Sequence, residues 1–394
     1  MKISGTKYLS AILILLPALI IFQNDIFSQS TKNRYSPQKK ETKAFIGEKG
    51  LFPLSNYSTK TYNALPQNRA IVQDKRGVMY FANNEGVLEY DGVFWRTIKL
   101  PNETNILSLA IDDHGKIYVG ASGEFGYLKP DSSGNMRYIS MLTLLEKGDR
   151  DFSDVWCTQI TKSGVFFQSD NKIFRWDGKK MRVWNAEKSF HRIFKVYDRI
   201  FVRQRGIGLM EIIGDDLLAL KGGEEFSEEV IIDMIPFLKN SKKNESHDIL
   251  LCTKKRGLYT IKFIPKKNSL NEKSSFLLEH FPTQIDSFLL KNICSNLLKT
   301  EKGYSIATVT KGSVIIDAEG NLLNFFNKEI GLQDETIYSQ NGDASGNLWL
   351  ALSNGISRVA INSPITYYSD KNGLLGTIEA VVRHNNTIFT TTHQ

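Results

Sequence analysis

The chain has 394 residues, of which 41% are hydrophobic and 11% aromatic, enough for a large core and too many for a disordered polymer. Fifty Lys and Arg face 42 Asp and Glu, a net charge of +8. The excess is scattered as pairs beside turns, such as Lys179-Lys180, Lys242-Lys243 and Lys254-Lys255, rather than gathered on one face with interleaved aromatics, which argues against nucleic acid as a partner. The cysteines Cys157, Cys252 and Cys294 are odd in number and far apart, which excludes a dense disulfide framework and predicts buried free thiols. No Cys-x-x-Cys or Cys/His cluster is present, so no metal site is expected.

The N-terminus has the pattern of an export signal. Lys2 and Lys7 precede an uncharged apolar run, Leu9–Phe22, interrupted by Pro17, and Ser28-Gln29-Ser30 supplies a small-x-small cleavage site. The run is shorter than the roughly 20 residues a spanning helix needs. Residues 1–30 therefore read as a signal peptide and residues 31–50, polar and Lys-rich, as a flexible leader. A periplasmic or other extracytoplasmic location follows. Membrane attachment would come only through this segment or through one that lies downstream of Gln394.

From residue 51 to 377 a strand–turn–strand unit repeats. Ile71–Tyr90 (IVQDKRGVMYFANNEGVLEY), Leu107–Tyr127 (LSLAIDDHGKIYVGASGEFGY) and Ile337–Val359 (IYSQNGDASGNLWLALSNGISRV) each show an alternating apolar run, a polar Asp/Gly turn, a second run rich in β-branched and aromatic residues, a small polar turn and a third run. All-strand units at a period of a few tens of residues predict an all-β protein, a β-propeller of four-stranded blades. Seven units are counted, with first turns at Asp74–Gly77, Asp112–Gly115, Lys162–Gly164, Tyr197–Arg199, within a polar insertion at Lys239–His247, Glu301–Gly303 and Asp343–Gly346. Residues 378–394 begin a further blade that stops short, and Leu51–Tyr62 reads as an outer strand awaiting a later partner. Tyr80, Tyr118, Phe167, Phe201 and Trp349 recur in the second strands and are expected in the core between blades.

No Gly-x-Ser-x-Gly, His-Glu-x-x-His or phosphate loop occurs, and the six histidines are dispersed. Asp74, Asp112 and Asp343 fit turn capping rather than catalysis. No catalytic residue and no cofactor are expected.

The repeats resemble the two-component regulator propeller, whose pattern Asp-x-x-Gly-x-Leu-Trp-Leu-Ala-x-x-x-Gly-Ile stands here as Asp343 to Ile356. The resemblance covers Leu51 to the end, is clearest in units one, two and seven, and implies the sensing region of a periplasmic receptor of Bacteroidetes-type bacteria. In that family the propeller is followed by a triple-tyrosine domain, a membrane helix and a cytoplasmic output. None of these is present, so the chain would sense without executing an output, and a homodimer is conceivable through its parent protein. Two alternatives stay open: a secreted propeller enzyme of the lyase or quinoprotein kind, and a structural interaction scaffold.

Second-to-third-strand turns of a propeller share one face. They place Asn84, Glu85, Glu124, Asn171, Arg205, Arg256, Lys311 and Asn354 on one rim, the candidate site for an unknown small molecule or oligosaccharide. Arg205, Arg256 and Lys311 fall in consecutive units and would form a basic arc suited to an anionic ligand.

Overall fold

The computed structural model describes residues 50–238, 247–264, 275–385 and 387–393. The segments read from sequence as a signal peptide (1–30), as a leader (31–50, all but its last residue) and as the fifth-unit insertion (all but His247) lie outside the described residues.

A short strand β1 (Leu54–Tyr57) and a single-turn helix α1 (Thr59–Tyr62) open the described chain. Seven blades follow: β2–β5 (residues 68–98), β6–β9 (106–140), β10–β13 (157–185), β14–β17 (190–219), β18–β21 (231–280), β22–β25 (294–326) and β26–β28 (337–359). The first six are antiparallel four-stranded meanders, strand A to strand D in chain order. The seventh has three strands of its own, and β1 supplies the fourth by pairing with β28 (Ile356–Val359), Leu54 opposite Val359 and Tyr57 opposite Ile356. The outer strand read at Leu51–Tyr62 thus has its partner in the last blade, not downstream. Pairing the first strand with the last blade completes that blade's four strands and ties the ends of the ring together.

The polar turns behave as their residues dictate. Asp74, Asp112 and Asp343 each accept two backbone N–H bonds across the A–B turn, from Arg76 and Val78, His114 and Lys116, and Ser345 and Asn347 respectively. The glycine-free turn of blade four instead places Tyr197 and Asp198 at φ of 58° and 88°. Seven apolar clusters fill the spaces between sheets, and Tyr80, Tyr118, Phe167, Phe201 and Trp349 are all buried in them. Phe167 is not in step with the others: it is the fourth residue of its strand, where Tyr80, Tyr118 and Trp349 are second. Tyr304 takes the core role in blade six. Cys157, Cys252 and Cys294 are buried free thiols, as expected.

The A strands β2 (Asn68–Gln73), β6 (Ile106–Ile111), β10 (Cys157–Thr161), β14 (Phe190–Val196), β18 (Ile231–Pro236), β22 (Cys294–Thr300) and β26 (Ile337–Gly342) each pack on the A strands of both neighbouring blades, and the circle closes from β26 to β2. They therefore surround the axis. Separately, β29 (Thr377–His384) and β30 (Thr387–His393) form a two-stranded sheet, which fits the opening of a further blade.

Candidate functional site

Antiparallel order puts the B–C turns and the loops entering each A strand at the same end of the ring. At that end six A strands carry a β-bulge in one position. The pairing with strand B skips one residue between Asn68 and Ala70, Ile106 and Ser108, Phe190 and Arg192, Ile231 and Asp233, Cys294 and Asn296, and Ile337 and Ser339. The skipped residues are Arg69, Leu107, His191, Ile232, Ser295 and Tyr338. Blade three has no bulge, and Trp156 immediately precedes its A strand. A bulge frees a side chain from the alternation of the sheet and re-aims it. Repetition of one bulge around a closed ring makes a collar of seven side chains at the channel mouth.

Arg69 occupies its centre of charge. Its guanidinium lies 5.0 Å from the ring centre of Tyr338 and 5.8 Å from that of Trp156. Tyr338 belongs to the adjacent blade seven, but Trp156 belongs to blade three, with blade two between, so the Arg69–Trp156 contact joins two blades that are not neighbours. Arg69 Nη2 donates to Gln67 Oε1 (3.1 Å), and Gln67 Nε2 donates to the Tyr338 hydroxyl (2.8 Å). Arg69 Nε is buried without a partner, and no ion pair among the described residues includes Arg69. Trp156 is 38% exposed. His191 Nδ1 and Ser295 Oγ, at the same bulge position, are also buried and unpartnered. Burial, with Arg203, Arg192 and Lys254 nearby, depresses the His191 pKa to about 4, so the imidazole is neutral near pH 7.

Just inside the collar a polar chain links four blades. Arg192 donates to the Ile232 carbonyl, Asn296 Nδ2 donates to Asp233 Oδ2 (2.7 Å), and Gln340 Nε2 donates to the Asn296 carbonyl. Burial raises the Asp233 carboxyl above the ordinary range despite Arg192 and the N–H groups of Leu297 and Met234.

Seven of the eight rim residues named from sequence sit in B–C turns and Glu124 opens strand C of its blade, paired with Ala121, but they play unequal parts. Asn84 joins the mouth: its Nδ2 donates to Gln67 Oε1 (3.0 Å) and its Oδ1 is buried without a partner. Glu85 pairs with Lys99 (3.2 Å). Glu124 is buried and accepts from the Phe125 N–H and the Ser140 hydroxyl, which makes it a strut of blade two. Asn171 braces its own turn, donating to the Asp151 carbonyl and accepting from Ser169. Asn354 is exposed and its carbonyl accepts from Gln333. The basic arc is largely matched by acid. Arg256 lies 4.0 Å from Glu225 and 3.8 Å from Glu229, and Lys311 lies 4.0 Å from Glu335. Those carboxylates come from the D–A loops of the same face. Arg205 is exposed, with no ion pair among the described residues. The collar residues Arg69, Trp156, His191, Ser295 and Tyr338 were missed by sequence reasoning, which looked to turns and not to strand starts. No group of three His, Cys, Asp or Glu among the described residues is placed to hold a metal, and no helix there is long and apolar enough to cross a membrane.

No family model matches the chain, and no curated protein matches it. Solved structures do. The extracellular domain of a hybrid two component system from B. thetaiotaomicron superimposes with a TM-score of 0.60 at 14% identity, covering 86% of this chain and 46% of that one. A second such domain from the same organism gives 0.54 at 15% identity, covering 78% and 40%. Virginiamycin B lyase from Staphylococcus aureus gives 0.56 at 11% identity, covering 78% and 98%. This chain spans less than half the length of the two B. thetaiotaomicron domains. At such identities the likeness is one of fold, and in fold the chain agrees with the resemblance carried by its repeats: it is a seven-bladed β-propeller similar to the extracellular domains of hybrid two component systems.

Proposed function

We propose that this chain is the ligand-sensing propeller of an extracytoplasmic bacterial receptor and that it binds a small molecule or oligosaccharide at the channel mouth on the B–C face. The observation that carries this reading is Arg69. A guanidinium held among aromatic rings from two other blades, with one N–H unsatisfied and no carboxylate beside it, costs folding free energy that a purely structural arginine would avoid. Such costs concentrate at binding sites. The export-type N-terminus and the likeness in fold to extracellular domains of two component systems support the location and the class. Signal output would belong to a longer parent protein.

The enzyme alternative draws on the likeness to a propeller lyase. Acid–base chemistry needs a group that exchanges protons near the working pH. His191, the histidine of the collar, is a poor proton acceptor at a pKa of about 4, so sensing is favoured.

The test is a thermal-shift and calorimetric screen of the exported chain against neutral glycans, acidic glycans and small organic acids. A saturable binder that is lost when the mouth is altered is the expected result. A screen without any binder, or a binder indifferent to every mouth residue, removes the reading.

A further inference from the structure

Of the eight buried unpartnered side-chain polar atoms among the described residues, three sit at the bulge position of an A strand, Arg69 Nε in blade one, His191 Nδ1 in blade four and Ser295 Oγ in blade six, and Asn84 Oδ1 is linked to Arg69 through Gln67. Each orphaned polar atom costs on the order of 1–3 kcal/mol. Their recurrence at one position of the A strands marks the ring of bulges, with Arg69 as its cation, as the place where a ligand would supply the missing partners.

Resting on the sensing reading above, we infer that the mouth takes a small carboxylate carried on a flat or ring-shaped body, with Arg69 pairing the carboxylate and Trp156 stacking on the ring. Arg69 has no counter-ion, and a guanidinium edge matches a carboxylate bidentately. Trp156, 38% exposed and 5.8 Å from the Arg69 guanidinium, presents the kind of surface against which a sugar or an aromatic ring packs. Arg69 Nε–H is covered in this conformation, so the ligand engages it by a turn of the guanidinium about its own stem, away from Gln67. The rim cations are poorer candidates for the carboxylate, since Arg256 and Lys311 already face Glu225, Glu229 and Glu335.

A second basic surface is the competitor. Between blades one and two, at the opposite end of the ring, a cleft of about 640 Å³ is lined by Lys75, His114, Lys116 and Lys129 and by Arg76 paired with Asp74. Its charge could hold an anion with no help from the mouth.

Isothermal titration calorimetry of the full chain decides. The probes are D-glucuronate and 4-hydroxybenzoate, with D-glucose and phenol as neutral counterparts. Binding of either acid, with its neutral counterpart at least tenfold weaker, is expected, and the acid that binds identifies the source as a sugar acid or an aromatic acid. Arg69→Gln should weaken it roughly ten- to hundredfold. Arg69→Lys keeps the charge without the fork and should fall between. Trp156→Ala should weaken binding without abolishing the preference for the acid, and Lys116→Ala should change nothing. Circular dichroism confirms that each variant is folded. The inference is overturned if neither acid binds, if Arg69→Gln binds unchanged, or if Lys116→Ala abolishes binding, which would place the anion in the cleft. A neutral glycan that binds at the mouth as tightly as its acid also overturns it, while leaving the sensing reading standing.

Discussion

Tyr57 of the N-terminal strand stacks on Trp349 of the last blade, with ring centres 5.5 Å apart and planes 13° from parallel. The same Tyr57 ring touches Tyr90 and Trp95 of blade one, each at 5.5 Å. One side chain thus joins the first strand, the last blade and the first blade, at the only seam where blades adjacent in space are distant in sequence. Its ring contacts reinforce the four backbone pairings of β1 with β28 at this seam.

Replacing Tyr57 with Ala should therefore cost about 2–4 kcal/mol, since it removes a half-buried aromatic and its stacking partners together. Tyr57→Phe should cost less than about 1 kcal/mol. Chemical denaturation of the two variants measures the difference. Equal stability of Tyr57→Ala and the parent chain would mean that the ring is not held at this seam.

Two glycines separate conformational from steric cost. Gly115 has φ of 85°, and a Cβ there would meet nothing within 4 Å, so Gly115→Ala should lose only the left-handed penalty of about 1–2 kcal/mol. Gly312 has φ of 76°, and its Cβ would collide with the carbonyl oxygen of Phe326. Gly312→Ala should cost more than about 3 kcal/mol, because backbone of the outer strand would have to move. Thermal melts of both variants check the order.

The buried neutral His191 gives a pH dependence with a definite sign. Its pKa in the folded chain is about 4 and its ordinary value 6.5. Between those values the unfolded chain binds the extra proton, so stability falls as pH is lowered from 6.5 and the loss levels off below 4. The contribution is at most about 3 kcal/mol. In His191→Gln this part of the pH profile should flatten, which denaturation midpoints at pH 4.5 and 7.5 would record. An unchanged profile would assign the acid sensitivity to other groups, such as the turn carboxylates. Asp343 is one of these: burial pushes its carboxyl up, but bonds from Asn347, Trp349 and the Ser345 N–H outweigh this and lower it, so its stabilisation is lost only below the ordinary Asp range.

Arg256→Ala and Lys311→Ala should leave ligand affinity within about threefold, because Arg256 is half-buried and Lys311 exposed, and both are already opposed by carboxylates. Titration of a mouth ligand against the double variant tests this. A tenfold loss would restore the basic arc expected from sequence.

The fold was legible because its units are local. Asp at the start of an A–B turn and alternation through Ile, Val, Tyr and Trp act within some 20 residues, and the meander they specify needs no distant information. The turn roles of Asp74, Asp112 and Asp343 and the burial of Tyr80, Phe201 and Trp349 followed from the same short-range chemistry. Closure was less legible: Leu54–Tyr57 reads as a strand, but its partner, Ile356–Val359, lies some 300 residues away.

The site was decided by tertiary structure alone. The sequence placed Asn84, Arg205 and Arg256 correctly in B–C turns, but it could not show Glu124 folding inward onto Ser140 or Glu229 approaching Arg256 from another loop. Nor does it mark the bulges, because Arg69, His191 and Ser295 look like ordinary members of alternating strands until the pairing skips them. Arg69 and Trp156 are 87 positions apart and in blades that do not touch as sheets. Only the curvature of a closed seven-membered ring, which sums small inter-blade rotations into a circle, turns those two side chains toward one another.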